Sequence, residues 1–377
     1  MAGKQTLFAF ASLAVLLSAG SADADEGQEE TSDEAEPTGR LPTGRFEIGA
    51  GFTSDESFIA RAGVYQDDLF GTGNALSLTA RLSARSQLFL MRFTDPDVLD
   101  SDVIFNADVY NRSQTWSGFT RQGAGGSITL GKPIAANTRL FLSYRLENVV
   151  LEPETDHSGD PFYQGGLLSS LRLSLSHDTR DDPLFPTRGG NLGAYAEVSD
   201  RRLGSDIEVA RAGAWMSRHG RVVGPLALHV RGGVDVVLPR AGDVVPLSER
   251  LQLAGHRDIR GYGIGTVDPL GGNVKLTWQS ELELPIARSI GLSAVAFFDA
   301  GAVWDLDHRG CQVALAATAP VNPCRGGSLL DGLRESVGFG LVWRSPIGPL
   351  RFDWAFPLDR APGQSAMEFL FSVGGVF

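Results

Sequence analysis

The chain has little of what marks a helical membrane protein, a disulfide-rich fold or a nucleic-acid-binding protein. Beyond residue 24, no apolar run reaches the roughly 20 residues that a membrane-spanning helix requires. Two cysteines among 377 residues exclude a small fold held together by several disulfides. No dense cluster of lysine and arginine is present, and the formal net charge of -12 disfavours nucleic-acid binding.

Complete catalytic motifs are absent from the sequence as well. It contains no G-x-S-x-G nucleophile elbow and no HExxH zinc motif, and its six histidines are scattered. His177 and Asp178 follow Ser174 and Ser176, but a catalytic triad is defined by geometry and not by adjacency in sequence. We therefore expect no enzymatic activity, no cofactor and no metal ion.

The first 24 residues have the layout of a cleaved secretory signal peptide. Lys4 precedes an apolar core from Leu7 to Leu17, and the segment ends in the small-residue sequence Ala22-Asp23-Ala24. A retained membrane helix is the alternative, but the core is short for a span. The absence of a cysteine after Ala24 excludes a lipid anchor there. We expect an exported protein.

Two further features fit export. Residues 25–44 carry seven acidic residues against Arg40 alone, a composition typical of a solvated, disordered linker. In an oxidising compartment, Cys311 and Cys324 are expected to form one disulfide. A metal site at this cysteine pair is disfavoured, since no histidine lies between them.

From residue 45 onward, apolar residues alternate with polar or small ones. Phe46, Ile48 and Phe52 share one face of the first segment, while Gly49 and Gly51 lie on the other. Repetition of this period of two predicts sixteen strands, an even number as in single-chain outer-membrane barrels. The predicted strands are roughly 46–52, 58–65, 74–85, 86–95, 102–113, 121–131, 138–150, 170–179, 191–200, 207–218, 226–239, 272–285, 290–304, 334–345, 349–358 and 367–377.

Loop lengths distinguish a membrane barrel from a large soluble periplasmic sandwich, which would also alternate. With the N-terminus in the periplasm, the long connections 151–169, 240–271 and 306–332 all fall on the opposite side. The periplasmic connections are short, namely 67–73, 93–101, 132–137, 181–190, 287–289 and 345–348. Outer-membrane barrels have this asymmetry. We expect an all-β, 16-stranded antiparallel transmembrane β-barrel in the outer membrane of a Gram-negative bacterium.

Six strings stand out along residues 45–377. They are Ile259-Arg260-Gly261-Tyr262, QDDLFGTGNALSL from residue 66, HDTRDDPLFPTRGGNL from residue 177, FFDAGAVWD from residue 297, GLVWRSPIGPLRFDWAFPL from residue 340 and the ending FLFSVGGVF. Together, they resemble the BamA/TamA outer-membrane insertase superfamily, also called the bacterial surface antigen family.

The resemblance implies an extracellular loop that folds into the barrel lumen. Its arginine, Arg260, would pair with Glu281 and Asp299 on the inner wall, and the alternation independently places both acids on the lumen face. An arginine held between two carboxylates makes strong, oriented hydrogen bonds. The alternative is a surface loop with an incidental arginine. We expect Arg260→Ala to reduce folded barrel more than Arg257→Ala does.

Near the place where the barrel would close, the first strand contains Gly49 and Gly51, and the last strand contains Gly374 and Gly375. Glycine weakens a strand and permits kinks. One hypothesis is a seam that opens sideways and offers its edges to an incoming strand. The other is that small residues merely fit a tight closure. The terminal Phe377, with Phe369 and Phe371, resembles the C-terminal assembly signal of such barrels. The alternative is an aromatic girdle residue at the membrane boundary, and both can hold at once.

For function, the resemblance implies assistance with insertion, assembly or translocation of proteins or lipids at the outer membrane. The alternative is a passive or gated pore, or a structural barrel. BamA-like insertases carry POTRA domains, but only about twenty residues separate Ala24 from Arg45, too few for a domain. We therefore expect a barrel that lacks POTRA domains. Its expected partners are outer-membrane lipid, nascent outer-membrane proteins and a periplasmic protein that supplies the missing function.

Overall fold

Sixteen β-strands form one antiparallel sheet in which each strand pairs with its neighbours in chain order. The computed structural model describes residues 44–53, 56–153, 159–183, 186–253, 255–264, 270–309, 332–345, 348–360 and 364–373. Several predicted features lie outside these ranges, namely the signal peptide, nearly all of the acidic linker, Cys311, Cys324, Gly374, Gly375 and Phe377.

The strands are β1 (Gly44–Thr53), β2 (Ser57–Gln66), β3 (Ala75–Leu82), β4 (Ser86–Asp95), β5 (Ile104–Thr115), β6 (Phe119–Ala135), β7 (Thr138–Pro153), β8 (Gly166–Asp178), β9 (Gly189–Ser199), β10 (Val209–Val223), β11 (Leu226–Pro239), β12 (Val274–Ala287), β13 (Leu292–Trp304), β14 (Arg334–Ser345), β15 (Gly348–Pro357) and β16 (Glu368–Val373). Short 3-10 turns lie at Leu69–Gly71, Pro161–Tyr163, Arg201–Leu203, Leu247–Glu249, Gly255–Arg257 and Arg288–Ile290. Across the described ranges, no helix has the length and apolar character needed to cross a membrane.

The sheet curls until its first and last strands lie side by side. The ring centroids of Phe52 in β1 and Phe371 in β16 are 6.2 Å apart. Within the described part of the chain, no strand pairing joins β1 to β16, whereas every other neighbouring pair has a ladder. The result is a nearly closed barrel in which, among the described residues, the junction of β1 and β16 alone lacks a ladder; we call this junction the seam.

The two faces of the wall differ as the alternation predicted. Large apolar side chains point outward and stay exposed, for example Leu78, Leu173 and Phe339. Charged side chains such as Glu147 and Asp299 point inward and are fully buried. An apolar outer surface around a polar interior is what a wall between lipid and a wet lumen requires.

Several strands extend beyond the predicted limits at their extracellular ends. The ladder of β6 and β7 continues through Thr120 and Glu152, and β8 begins at Gly166 instead of residue 170. The added residues mix apolar and polar side chains without a regular alternation, for example Leu167 and Leu168 in succession, but their backbone groups still pair across the ladder because unpaired backbone groups are costly. The predicted strands were therefore correct in number, and those corresponding to β6, β7 and β8 were too short at this side.

The connection between β6 and β7 is tight, whereas the longest connections lie on the opposite side of the barrel. Asn137 follows Ala136 in the two-residue turn between β6 and β7, and it has a left-handed φ of 58°. On the opposite side, the connection from β11 to β12 runs over residues 240–273. Buried residues within it include Val245 and Ile259, so this segment, which we call the inward loop, enters the lumen.

A matched pair of substitutions tests the assignment of the two faces. Leu78 points outward in the middle of β3, and its neighbour Thr79 points into the lumen beside Gly63. Because lipid cannot solvate a guanidinium, we expect Leu78→Arg to lower the free energy of unfolding by about 2–4 kcal/mol. Thr79→Arg should have much the smaller effect. Denaturant unfolding in lipid vesicles measures both, and equal losses would contradict the assignment of the two residues to opposite faces.

Candidate functional site: the inward loop and the seam

The inward loop has a closed neck at its base. Leu251 and Gly272 exchange two backbone hydrogen bonds of 2.9 Å, which form an isolated antiparallel bridge. Gly271, beside the bridge, has a φ of 63°, and a Cβ there would lie 2.3 Å from the Leu251 carbonyl oxygen. The position therefore requires glycine. Beyond the neck, the chain crosses the lumen toward β12 and β13.

Arg260 is bound to the inner wall by several hydrogen bonds. Its Nε and Nη2 each donate to one oxygen of the Asp299 carboxylate, both at 2.6 Å. Nη1 donates to Glu281 Oε2 at 2.7 Å, and the backbone N–H donates to Asp299 Oδ2 at 3.0 Å. The Asp299 side chain is completely buried. The structure thus brings together the three residues on which the sequence prediction was based.

Three wall residues complete this site. The guanidinium carbon of Arg260 lies 3.5 Å from the centroid of the Phe297 ring, a cation–π contact. Arg351 binds Glu281 from the other side and also donates to Asp353 Oδ2 at 2.6 Å. Sequence reasoning missed these contributors, although Phe297 and Asp353 lie on the predicted lumen face. Alternation predicts whether a side chain points to the lumen or to lipid, but it does not predict which residue it contacts across the barrel.

The other residues of the loop motif position Arg260. Ile259 is buried against Val303, and Gly301 leaves space for it, since a Cβ there would lie 2.7 Å from the Ile259 side chain. Gly261 has a φ of 92°, and a Cβ at this position would lie 3.3 Å from that of Ala355 in β15. A side chain there would be strained. The motif is therefore a shaped turn that packs on β13 and β15.

A second attachment, which sequence reasoning did not find, fixes the first half of the inward loop. The carboxylate of Glu249 accepts a hydrogen bond of 2.7 Å from Arg121 Nη2 in β6 and a further one from Arg211 in β10. Burial alone would raise the pKa of Glu249, but the charges of Arg211 and Arg121 outweigh it and lower the pKa to about 2. The carboxylate is therefore ionised at neutral pH.

A third attachment joins the loop to the connection after β13. The side chain of Arg250 is fully buried, and its Nη1 donates to Asp307 Oδ1 at 2.8 Å. Asp305 accepts a further hydrogen bond from the same guanidinium. These residues lie in connections between strands. The sequence has no periodicity there, so it does not show which side chains point into the lumen. Together, the three attachments reach opposite walls of the barrel.

At the seam, the described glycines lie within a regular ladder. Gly49 and Gly51 are buried on the lumen side of β1, which pairs with β2 along all ten of its residues. Phe369 is exposed on the lipid side, and Phe371 stacks on Phe352 with ring centroids 4.9 Å apart. Gly374, Gly375 and Phe377 lie past the last described residue. Their proposed roles stay predictions.

Removal of the Arg260 side chain should weaken the whole barrel. Arg260→Ala leaves the buried Asp299 carboxylate without its guanidinium, so we expect the free energy of unfolding to fall by about 3–5 kcal/mol. Arg257 is a poor control because it forms its own ion pair with Glu56. The exposed Arg202 serves better, and Arg202→Ala should change stability by less than about 0.5 kcal/mol. The temperature at which half of each variant loses its folded gel mobility compares the two stabilities. Similar midpoint temperatures for Arg260→Ala and Arg202→Ala would contradict the role of Arg260 as an anchor.

The Glu249 anchor should be sensitive to acid. Because its folded pKa of about 2 lies below the ordinary value of 4.5, its contribution to stability is present above pH 4.5 and is lost as pH falls toward 2. The variant Glu249→Gln lacks this contribution at every pH. We therefore expect the difference in unfolding free energy between the two proteins to be largest at neutral pH and to shrink in acid. Denaturant midpoints across a pH series measure it, and a constant difference would contradict the assignment.

Known proteins resemble this chain along nearly all of the barrel. The Omp85 superfamily domain matches residues 68–377. Outer membrane protein assembly factor BamA of Nitratidesulfovibrio vulgaris is 28% identical over 348 residues, which cover 89% of this chain and 42% of the relative. BamA of Neisseria meningitidis serogroup B is 27% identical over 382 residues, covering 89% and 47%. The chain therefore spans less than half the length of these curated relatives.

Solved structures show the same barrel. BamA from Haemophilus ducreyi lacking POTRA domains 1-3 superposes with a TM-score of 0.76 at 22% identity, over 88% of this chain and 70% of that one. CdiB from Escherichia coli gives a TM-score of 0.57 at 14% identity, over 89% and 63%. The predicted fold and family resemblance are confirmed. The chain belongs to the Omp85 superfamily, and it is a 16-stranded β-barrel protein of the outer membrane of Gram-negative bacteria.

Proposed function

We propose that this barrel assists the insertion and assembly of proteins in the outer membrane, and that it does so through the seam and without covalent catalysis. One observation carries the proposal. Along the described strands, β1 and β16 lie side by side without the ladder that joins every other neighbouring pair. Unpaired strand edges are templates for the addition of another strand.

The energetics of the seam favour opening there. Parting β1 from β16 removes side-chain contacts such as that between Phe52 and Phe371, and an aromatic pair contributes about 0.5–1.5 kcal/mol. Parting any other pair would break a full ladder, for example the ten residue pairs of β1 and β2. In hydrocarbon, each unsatisfied backbone group costs several kcal/mol. An open edge would therefore favour capture of an incoming strand.

The names of the relatives point to the substrate class. The matched bacterial proteins are called outer membrane protein assembly factors. We infer from this that nascent outer-membrane proteins are the cargo, in preference to lipids. A periplasmic partner that delivers them stays a prediction.

The pore alternative is disfavoured by the contents of the lumen. Arg260 and Glu249 hold the inward loop on opposite walls, and both side chains are almost entirely buried. A passive pore would need this segment to leave the lumen, which would expose the charges of Asp299 and Glu249 without their partners. Arrangements that leave buried charges unpaired are strongly unfavourable.

A locked seam tests the proposal. Cysteines introduced by Phe52→Cys and Phe371→Cys, in a background with Cys311→Ser and Cys324→Ser, can be joined by a short, reducible thiol cross-linker. We expect the cross-linked barrel to lose the insertion of unfolded outer-membrane proteins into vesicles, because its edges stay covered, and reduction to restore it. The single-cysteine variants, treated in the same way, are the controls. Full insertion by the cross-linked protein would rule out a role for the opening seam.

A further inference from the structure

The inward loop touches the hairpins on both sides of the seam. We propose that residues 257–262 act as a clasp that holds the seam shut, in which Arg257 binds the first hairpin and the turn at Gly261 and Tyr262 binds the last. This inference rests on the proposed opening of the seam. It assigns a role to Arg257, which lies outside the loop motif and has no part in the Arg260 anchor.

On the first side of the seam, the contact is an ion pair with the β1–β2 connection. Arg257 Nη2 lies 2.6 Å from Glu56 Oε1. Glu56 Oε2 accepts hydrogen bonds from Arg81 Nη2 at 2.9 Å and from Ser86 Oγ at 3.0 Å. The Glu56 side chain is only 4% exposed. The carboxylate is thus fixed to β3 and β4, and whatever holds it also holds the first hairpin.

On the last side, the contacts are hydrogen bonds with Glu335 in β14 and with the β15–β16 connection. The Tyr262 hydroxyl lies 2.9 Å from the backbone oxygen of Glu335 and 3.3 Å from that of Asp359. The Asp359 N–H lies 3.3 Å from the same hydroxyl. Gln364 Nε2 donates to the backbone oxygen of Gly261 at 3.2 Å. The loop therefore bridges two hairpins that have no strand pairing with each other in the described residues.

The part of the loop between these contacts is fixed to β12. Lys275 Nζ lies 2.6 Å from Asp258 Oδ2, and Gln279 Nε2 donates to the backbone oxygen of Arg257 at 3.2 Å. The Arg260 anchor follows two residues later. Because these contacts attach the loop backbone to β12, Arg257 holds the first hairpin through its side chain.

The two ends of the clasp differ in strength. The Arg257 side chain is 41% exposed, so water can replace Glu56 when the pair separates. Tyr262 is buried and bonds to backbone groups, whose separation would leave polar atoms unsatisfied. The seam should therefore open on the side of β1, and the Arg257–Glu56 pair should break when it does.

A distance measurement across the seam tests the clasp. Spin labels at Ile48→Cys and Phe369→Cys, both lipid-facing positions, report the separation of β1 and β16 by pulsed electron paramagnetic resonance in vesicles. The background again carries Cys311→Ser and Cys324→Ser. We expect Arg257→Ala to raise the ratio of open to closed seam about fivefold, as a single partly exposed ion pair allows. Glu56→Gln should act in the same direction, and Arg257→Lys should return part of the closed population.

Two control variants separate the clasp from general loosening. Arg81→Gln removes another partner of Glu56 but leaves the link to the inward loop, and Arg202→Ala removes an exposed arginine elsewhere. Neither should change the distance distribution. An unchanged distribution in both Arg257→Ala and Glu56→Gln, or equal opening in the two controls, would overturn the clasp. The clasp is tested by a distance, whereas the proposed function is tested by the insertion of proteins into vesicles. A failure of one can therefore be distinguished from a failure of the other.

Discussion

The fold of this barrel depends on one guanidinium held between carboxylates inside the wall. Arg260, Glu281 and Asp299 each belong to a different segment, so their contact fixes the inward loop to β12 and β13 at once. Removing charges from water is costly, and such a group is tolerated only when its partners are well placed. The bidentate bond to Asp299 meets that condition and also fixes orientation, because the planar guanidinium matches a carboxylate in only a few ways.

Another part of the lumen follows the same rule. Glu147 in β7 binds Arg112 in β5 and Arg121 in β6, and Arg145 joins Glu147 to Glu197 in β9, so these charges are paired within and between strands of the inner wall. The described residues form three buried apolar clusters, and each of them includes residues of the inward loop. Lipid surrounds the outer face, so polar pairing inside takes the place that an apolar core has in a soluble protein. The inward loop completes this pairing and is therefore part of the wall's own stability.

This arrangement connects stability with function. The seam is the one junction of the described sheet without a ladder, and the loop that stabilises the lumen also touches the hairpins on both sides of it. In the proposed function, a strongly fixed centre at Arg260 and a weaker contact at Arg257 would allow the edge to part while the loop stays in place. Binding of a substrate strand would then shift the equilibrium between the closed and the open seam without a large rearrangement of the barrel.

Much of the fold could be predicted from the sequence, because lipid on one side and water on the other impose a period of two. That period gave the strand number and placed Glu281 and Asp299 in the lumen. It could not show that Arg351 shares Glu281 with Arg260, since cross-barrel partners depend on curvature and register. It also could not show the roles of Glu249 and Arg257, because connections have no period. Gly49 and Gly51 lie in the ladder that joins β1 to β2, and their part in the opening of the seam stays a prediction.

A double-mutant cycle between Arg260 and Asp299 tests the central claim most directly. Arg260→Gln, Asp299→Asn and the double variant, unfolded in vesicles beside the wild type, give the energy of interaction between the two side chains. If the inward loop is held in the lumen by this pair, the coupling energy should reach about 2–3 kcal/mol, the upper part of the range for contacting residues. Additivity within about 0.5 kcal/mol, as expected for distant sites, would contradict it.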